Sequence, residues 1–353
     1  MPMDFPSSPT IGQQSNGYVW TGTAWDSTSA QPITLNTNAP GYNYIINGGM
    51  DIWQRGTSFT GTNNVYLADR WFGNGGNVTV SRQTTGAPAS STAYMRTAMT
   101  STTFNNKTQF IESANVDPLH GKNVTLQAKV RRNSTFTGGL QLMIQKSVTV
   151  DAGFGATWVS VGSVNIPNSS LPTGTGSPDW FTQTLTVAVP NDGTANSLRV
   201  EINQTTVEVS GAYWDMAEVQ LEVGEAATAF RRNAPSIQAE LAACQRYYQV
   251  IASGENSFFA TGHGFSTVSV FATYTFPVQL RTSGGVATIS SVAHFRTYSA
   301  NGSGIVFTAF SVESVTPQNM RINGTVAAGL TVGQAAILST QNSSAFFAIS
   351  AEL

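Results

Sequence analysis

"KNVTLQAKV", residues 122–130, sets Val124, Leu126, Ala128 and Val130 against Thr125, Gln127 and Lys129 in strict alternation. A period of two belongs to a β-strand, whose successive side chains leave opposite faces, so one face is apolar and the other is expected to be wet. "SLRVEIN" (197–203) repeats the pattern, with Leu198, Val200 and Ile202 against Arg199 and Glu201. "GGLQLMIQ" (138–145), "TQTLTVAVP" (182–190) and "YWDMAEVQLEV" (213–223) add further strands, separated by turns such as "PNDG" at 190–193. Many short strands with polar turns and no helical pattern predict a jelly-roll β-sandwich over residues 41–232.

The flanks differ from this centre. Residues 1–40 are rich in Pro, Gly, Ser and Thr but hold "YVWTGTAWD" (18–26), where Tyr18, Trp20 and Trp25 flank a Thr-Gly turn. Two short strands fit, and so small a piece needs something larger to dock on. Residues 233–250 carry the one helical pattern, "SIQAELAACQRYY" (236–248). Ser236 is placed to cap it, and Ile237, Leu241, Cys244 and Tyr248 recur at four, three and four. That spacing is a coiled-coil-like seam, and an isolated helix of about 13 residues is marginal in water, so it needs partners. From residue 251 to 353 the charge thins to Glu255, Arg281, Arg296, Glu313, Arg321 and Glu352, with strands indicated by "STVSVFATYTFPVQL", "GIVFTAFSV" and "SAFFAISAEL". The expected class is mainly β: an N-terminal segment, a sandwich, a short helix and a small C-terminal β domain.

Composition excludes several functions. Charged residues make up 10% of the 353, against roughly a quarter in an average soluble domain, so Ser, Thr, Asn, Gln and Gly must carry the surface. Net charge is -2 and the lysines are Lys107, Lys122, Lys129 and Lys146 alone, which leaves no basic stripe for a phosphate backbone. No nucleic-acid partner is expected. No stretch approaches the ~20 apolar residues of a membrane span, and "MPMDFPSSPT" has neither the basic nor the apolar region of an export signal. Synthesis in a cytoplasm, without membrane insertion, is the expectation. The single Cys244 excludes an intramolecular disulfide and a Cys-rich zinc site.

The order of these pieces carries a resemblance. "FPSSPTIGQ" followed by "YVWTGTAWD", then "NGGMDIWQRG" (47–56) and "ADRW" (68–71), then "QLEVGEAATAFRR" (220–232) running into "AELAACQRYY", resembles bacteriophage tail-fibre and related virion appendage proteins over residues 1–250. Within it, "VQLEVGEAATAF" (219–230) is similar to the closing strand of carbohydrate-binding β-sandwich modules. The resemblance implies a homotrimer that joins other tail proteins of the virion through Phe5, Tyr18, Trp20 and Trp25. Its chains would meet along Ile237, Leu241, Cys244 and Tyr248, and its C-terminal part would face a host-surface glycan or protein. Phe271, Tyr274, His294, Phe295 and Tyr298 are the candidate receptor contacts, each in competition with the apolar core. A head fibre or baseplate protein is the alternative, and a glycan depolymerase or esterase a third reading.

Single residues were weighed in the same way. Asp51, Trp53, Arg55, Asp69, Arg70 and Trp71 have the composition of a sugar site, but a half-buried ion and tryptophan cluster that opens the sandwich is the favoured reading. Glycosidase carboxylates stand about 5–5.5 Å or about 6.5–9.5 Å apart. On a regular strand Glu218 and Glu222 lie roughly 13 Å apart while Asp215 points the other way. No enzyme is expected, and Glu218, Gln220 and Glu222 read as a solvated face or a subunit contact. His120, His263 and His294 lack metal-ligand spacing, Cys244 reads as packing, and "GNGGN" (73–77) lacks the ending of a phosphate loop. No cofactor is expected beyond a structural calcium, for which Asp51 or Asp215 is the candidate ligand.

Overall fold

In a computed structural model the chain forms two compact units, Met1–Ala39 and Pro40–Leu353. The structure describes residues 6, 8–10, 13–15, 18–20, 25–27, 41–176, 179–298, 302 and 304–353. Phe5 and residues 28–40 lie outside them. In the first unit Gln14–Ser15, Tyr18–Trp20 and Trp25–Ser27 form an antiparallel three-stranded sheet in which Trp20 stands opposite Trp25. The two strands expected of this segment are there, with a third beside them.

The second unit opens with a two-sheet antiparallel sandwich. One six-stranded sheet runs Phe181–Ala188, Asn123–Arg132, Tyr213–Val223, Tyr94–Met99, Val78–Gln83, Ser58–Thr60. The other runs Val159–Ile166, Leu140–Ser147, Ser197–Gln204, Asn106–Ile111, Phe72–Asn74, Val65–Tyr66. Val124, Leu126, Ala128 and Val130 lie buried between the sheets with Leu142, Ile144, Val200 and Ile202, as the alternation demands.

The wet faces are not wet. Thr125, Gln127 and Arg131 on one sheet and Glu201 and Asn203 on the other are buried, Lys129 and Arg199 are half-buried, and only toward the edge do Thr182, Thr184 and Thr186 reach solvent. Asp215 is the second correction. Glu218 adopts φ 47° and the pairing of Asn123–Arg132 with Tyr213–Val223 shifts between Gln127 and Lys129, which is a β-bulge. The extra residue reverses the parity of the strand, so Asp215, Glu218, Gln220 and Glu222 all serve the outer face, opposite Arg131, Lys129, Gln127 and Thr125. None is solvated: their exposures are 0%, 2%, 0% and 0%. The signal was in the sequence, where the apolar positions change from even (Trp214, Met216) to odd (Val219, Leu221, Val223).

The helix is Ile237–Gln245, capped by Ser236, whose Oγ accepts from Ala239 N at 3.2 Å. It folds back on its own chain: Cys244 and Tyr247 are buried with Ile46 and Ile52, and Leu241 and Ala243 pack against them. The expected seam is thereby used within the chain, with Ile237 left 43% exposed. Tyr248 is not in the helix at all; it begins Tyr248–Ser253, which pairs with Phe346–Ser350.

The C-terminal strands Phe258–Gly264, Ser269–Thr275, Asn319–Val326, Gly304–Glu313, Phe295–Tyr298 and Ala335–Thr340 close into a barrel. Its interior is filled by Val270, Phe295, Phe307, Met320, Ile322 and Leu338. Gly262 permits the closure, since a Cβ there would lie 2.0 Å from the carbonyl oxygen of Phe271 on the next strand. A separate three-stranded sheet, Tyr248–Ser253, Phe346–Ser350, Val286–Ile289, carries the barrel.

Candidate functional site

The opening stretch 43–56 is built as a bracket. Asn47, at φ 57°, where Asn is better tolerated than most side chains, donates its amide to the carbonyls of Ile52 and Asp69 and accepts from Ile52 N. The Trp71 indole donates to the carbonyl of Asn47 at 3.1 Å, and Trp53 to that of Met50 at 2.7 Å. Asp69, Arg70 and Trp71 are 0%, 1% and 0% exposed. Asp51 accepts from Thr92 Oγ1 at 2.6 Å and Arg232 Nε at 2.8 Å. Burial pushes the Asp69 carboxyl up, against the opposing effects of Arg55 and of hydrogen bonds from Gln54. These residues hold one another, and Asp69, Arg70 and Trp71 are buried away from any ligand.

The remaining acids of the sandwich are engaged in the same manner. Asp215 is shared by Arg96 at 2.8 Å and Arg131 at 2.9 Å. Glu218 pairs with Lys129, and Glu222 accepts from Gly41 N and from the N and Oγ1 of Thr228. A cation on Asp51 or Asp215 would have to displace an arginine. No cluster of three or more His, Cys, Asp or Glu suited to a metal occurs among the described residues. His120 meets the Ala195 carbonyl, His294 the Ser290 hydroxyl, and His263 is exposed elsewhere. Burial pushes the Cys244 thiol well up, away from thiolate chemistry.

Several clefts open on this unit, and two of them lie on strand faces of the sandwich and the barrel. One, of about 210 Å³, lies on the outer sheet face and is lined by Ser90, Gln127, Lys129, Thr182, Glu218 and Phe230. Its polar groups are largely spoken for: Gln127 donates to the Thr228 carbonyl, and Glu218 accepts from Ser90 N and pairs with Lys129.

The other, of about 290 Å³, lies in the barrel wall between Phe258, Thr261, Thr273, Tyr274, Thr275 and Ile337. Register explains how it arises. One row across the barrel reads Arg321, Thr273, Thr261, Ile337, Tyr298, and the next reads Asn323, Phe271, His263, Ala335. Outward positions of adjacent antiparallel strands stand side by side, so hydroxyls line up between aromatic ends. At one end Phe265, 58% exposed, stacks on Phe271 with centroids 4.4 Å apart, and Arg321 lies 5.0 Å over the Phe271 ring. Arg321 is fixed in turn by Glu313, Nε to Oε2 3.0 Å. At the other end Phe258 meets Tyr298 at 5.9 Å. Thr261, Thr273 and Thr275 are exposed and their hydroxyls make no hydrogen bond among the described residues.

Of the five receptor candidates, Phe271 and Tyr298 belong to this wall, and half-buried Tyr274 lines the cleft while packing on the core. Phe295 is corrected: at 0% exposure it is barrel core, because its parity points inward with Leu338. His294 is a short helical turn away, bound to Ser290. Phe258, Phe265, Thr261, Thr273 and Arg321 were missed. The alternation of "TVSVFATYT" (267–275) marks an outward face but cannot say which strands become neighbours.

The molecule is thus a mainly β protein: a two-sheet sandwich joined to a closed barrel that presents an aromatic and hydroxyl wall. No known family and no curated protein matches the chain. Among solved structures it is similar to the enzymatically active domain of tailspike protein 4 of bacteriophage CBA120, at 17% identity and a TM-score of 0.35, over 55% of this chain and 24% of that one. It is also similar to a putative sugar-binding protein from Bacteroides thetaiotaomicron, at 13% identity and TM-score 0.35, over 52% of this chain and 100% of that one. A third likeness is to a family 61 carbohydrate-binding module in complex with β-1,4-galactotriose, at 11% identity and TM-score 0.32, over 52% and 99%. The chain spans about a quarter of the tailspike domain's length.

Proposed function

We propose that this protein is a non-enzymatic, glycan-recognising subunit of a bacteriophage virion appendage, a tail fibre. In this reading residues 1–40 join the virion and the barrel wall meets the host surface. The observation that carries the reading is the wall itself, in which free threonine hydroxyls lie between flat rings. Sugars need hydroxyl and amide partners and aromatic faces more than ions, and a surface with 10% charged residues suits them. The order of sequence pieces over residues 1–250 supports the phage assignment. Binding without turnover is supported by the engagement of the sandwich acids with arginine, lysine or backbone N–H groups. A homotrimer remains part of the proposal, but its contacts use surfaces other than the Leu241–Cys244 seam. Three weak sites on one particle then gain avidity.

The test is adsorption of the purified chain to host cells and to their extracted surface polysaccharide. Phe271→Ala and Tyr298→Ala are each expected to weaken binding about tenfold or more. Release of reducing ends from the polysaccharide, or adsorption untouched by both substitutions, would sink the reading. Light scattering on the same sample tests the trimer: a mass near that of one chain rejects it.

A further inference from the structure

A larger cleft, of about 520 Å³, opens where the sandwich meets the sheet that carries the barrel. That is within the roughly 300–1,000 Å³ of small-molecule sites. Four rings line it, Phe59 and Tyr66 from the sandwich and Tyr248 and Phe346 from the sheet that carries the barrel, along with the hydroxyls of Thr60, Thr288 and Ser350. Its charged group is Arg55, which lies over Tyr248 with the guanidinium 3.6 Å from the ring centre.

The charges at this cleft decide what it takes. Arg55 Nη2 is bound to Glu352 at 3.0 Å, and Nη1 stands 3.7 Å from Asp69. Arg70 shares Glu352. Two guanidinium groups therefore face two carboxylates, and the local charge is already balanced. An acidic ligand would bring a third anion beside Asp69 and Glu352, and a cation would meet two arginines, each desolvated on entry. A neutral ligand meets neither cost. Arg55 Nη1 is buried on the side of Asp69, so the polar groups an uncharged ligand meets are the hydroxyls of the cleft wall.

We propose that this cleft is a second carbohydrate subsite, which takes one or two neutral pyranose rings of a host glycan by stacking on its aromatic walls. It rests on the glycan reading above but not on the barrel wall. A sugar here touches both the sandwich and the C-terminal sheet, so its binding raises the thermal stability of the whole unit.

The experiment uses the full chain carrying Phe271→Ala and Tyr298→Ala, which silences the barrel wall. Maltotriose and cellotriose are the neutral probes, trigalacturonate the acidic one, with saturation-transfer NMR and the melting temperature as readouts. A neutral trisaccharide is expected to give saturation transfer and raise the melting temperature. Thr288→Trp on one side of the cleft and Thr60→Trp on the other, both exposed strand positions away from the Arg55 network, are each expected to weaken that binding about tenfold. No neutral trisaccharide bound, tighter binding of trigalacturonate, or binding unaffected by both tryptophans in folded protein each overturns the proposal. Cell adsorption measured alongside separates the two readings. If Thr288→Trp alone adsorbs normally and Phe271→Ala does not, the wall assignment stands whatever happens at the cleft.

Discussion

Lys107 points into the sandwich, since it pairs with Ile202 on the inner face, and it is 0% exposed. Its Nζ donates to Asn105 Oδ1 and, at 3.2 Å, to the Asn106 carbonyl, with the Trp214 ring 5.5 Å away. Among the described residues no carboxylate pairs with it, and burial pushes its ammonium well below the usual lysine value of 10.5. Between that lowered value and 10.5 the unfolded chain holds a proton that the folded chain has shed. Stability from this residue therefore rises with pH through that interval and is complete above 10.5. Lys107→Met is expected to abolish this rise, so urea midpoints of the two chains, measured from about pH 7 to about pH 10, converge as pH increases. A constant gap would show that Lys107 does not titrate there. Asp215 makes the opposite case, a buried acid with two cationic partners. Asp215→Ala strands Arg131, itself 1% exposed, and is expected to cost about 3–5 kcal/mol by urea denaturation. The acid was visible in the sequence, but its partners at positions 96 and 131 were not, because they reach it only through strand pairing.

Alternation located the strands because a one-residue error in register would turn every apolar side chain to water. It did so for Asn123–Arg132, Leu140–Ser147 and Ser197–Gln204, whereas Phe346–Ser350 showed only as a short apolar run. The bulge at Glu218 was legible only as a parity change within Tyr213–Val223, and it governs where the acids point. Removing Glu218 from the chain restores strict alternation. Trp214, Met216, Val219, Leu221 and Val223 then keep the inner face, and Asp215, Gln220 and Glu222 the outer one, with no bulge between them. Cooperative unfolding is therefore expected to survive the deletion, as it does in Glu218→Ala, which keeps the bulge and loses the Lys129 pair and the bond from Ser90 N. Loss of native-like near-ultraviolet circular dichroism in the deletion would contradict the parity argument. The helix shows the converse limit. Its start at Ser236 was readable from the cap, but Ile237, Leu241 and Cys244 could equally serve a neighbouring chain or the same one. Only the position of Ile46 and Ile52 decided between them.

At the scale of the molecule the C-terminus is a fastener. The sequence suggested a separable tip after residue 254, because charge and tryptophan thin out there. Yet Glu352 lies between Arg55 and Arg70, 282 residues from the latter, and Tyr66 donates its hydroxyl to the Leu353 carbonyl at 2.9 Å. Arg281 adds bonds to the Ala351 carbonyl at 3.0 Å and to Asp151 at 2.8 Å. Phe346–Ser350 is meanwhile the central strand between Tyr248–Ser253 and Val286–Ile289. No local pattern could announce contacts so distant in the chain, and a lone Glu near a terminus normally reads as solvated. The consequence is that sandwich and barrel should melt together. Calorimetry of the full chain is expected to give one transition for residues 40–353, and Glu352→Ala to lower its temperature at a cost of about 3–5 kcal/mol, since buried Arg70 loses its acid and Arg55 keeps only the 3.7 Å approach of Asp69. A fragment ending at residue 253 should then fail to fold as a cooperative sandwich, because Arg55, Arg70 and the strand Tyr248–Ser253 lose their partners at once. If that fragment instead melts cooperatively near the full-length temperature, the ion cluster is decoration, and the barrel is an independent domain resting on the sandwich.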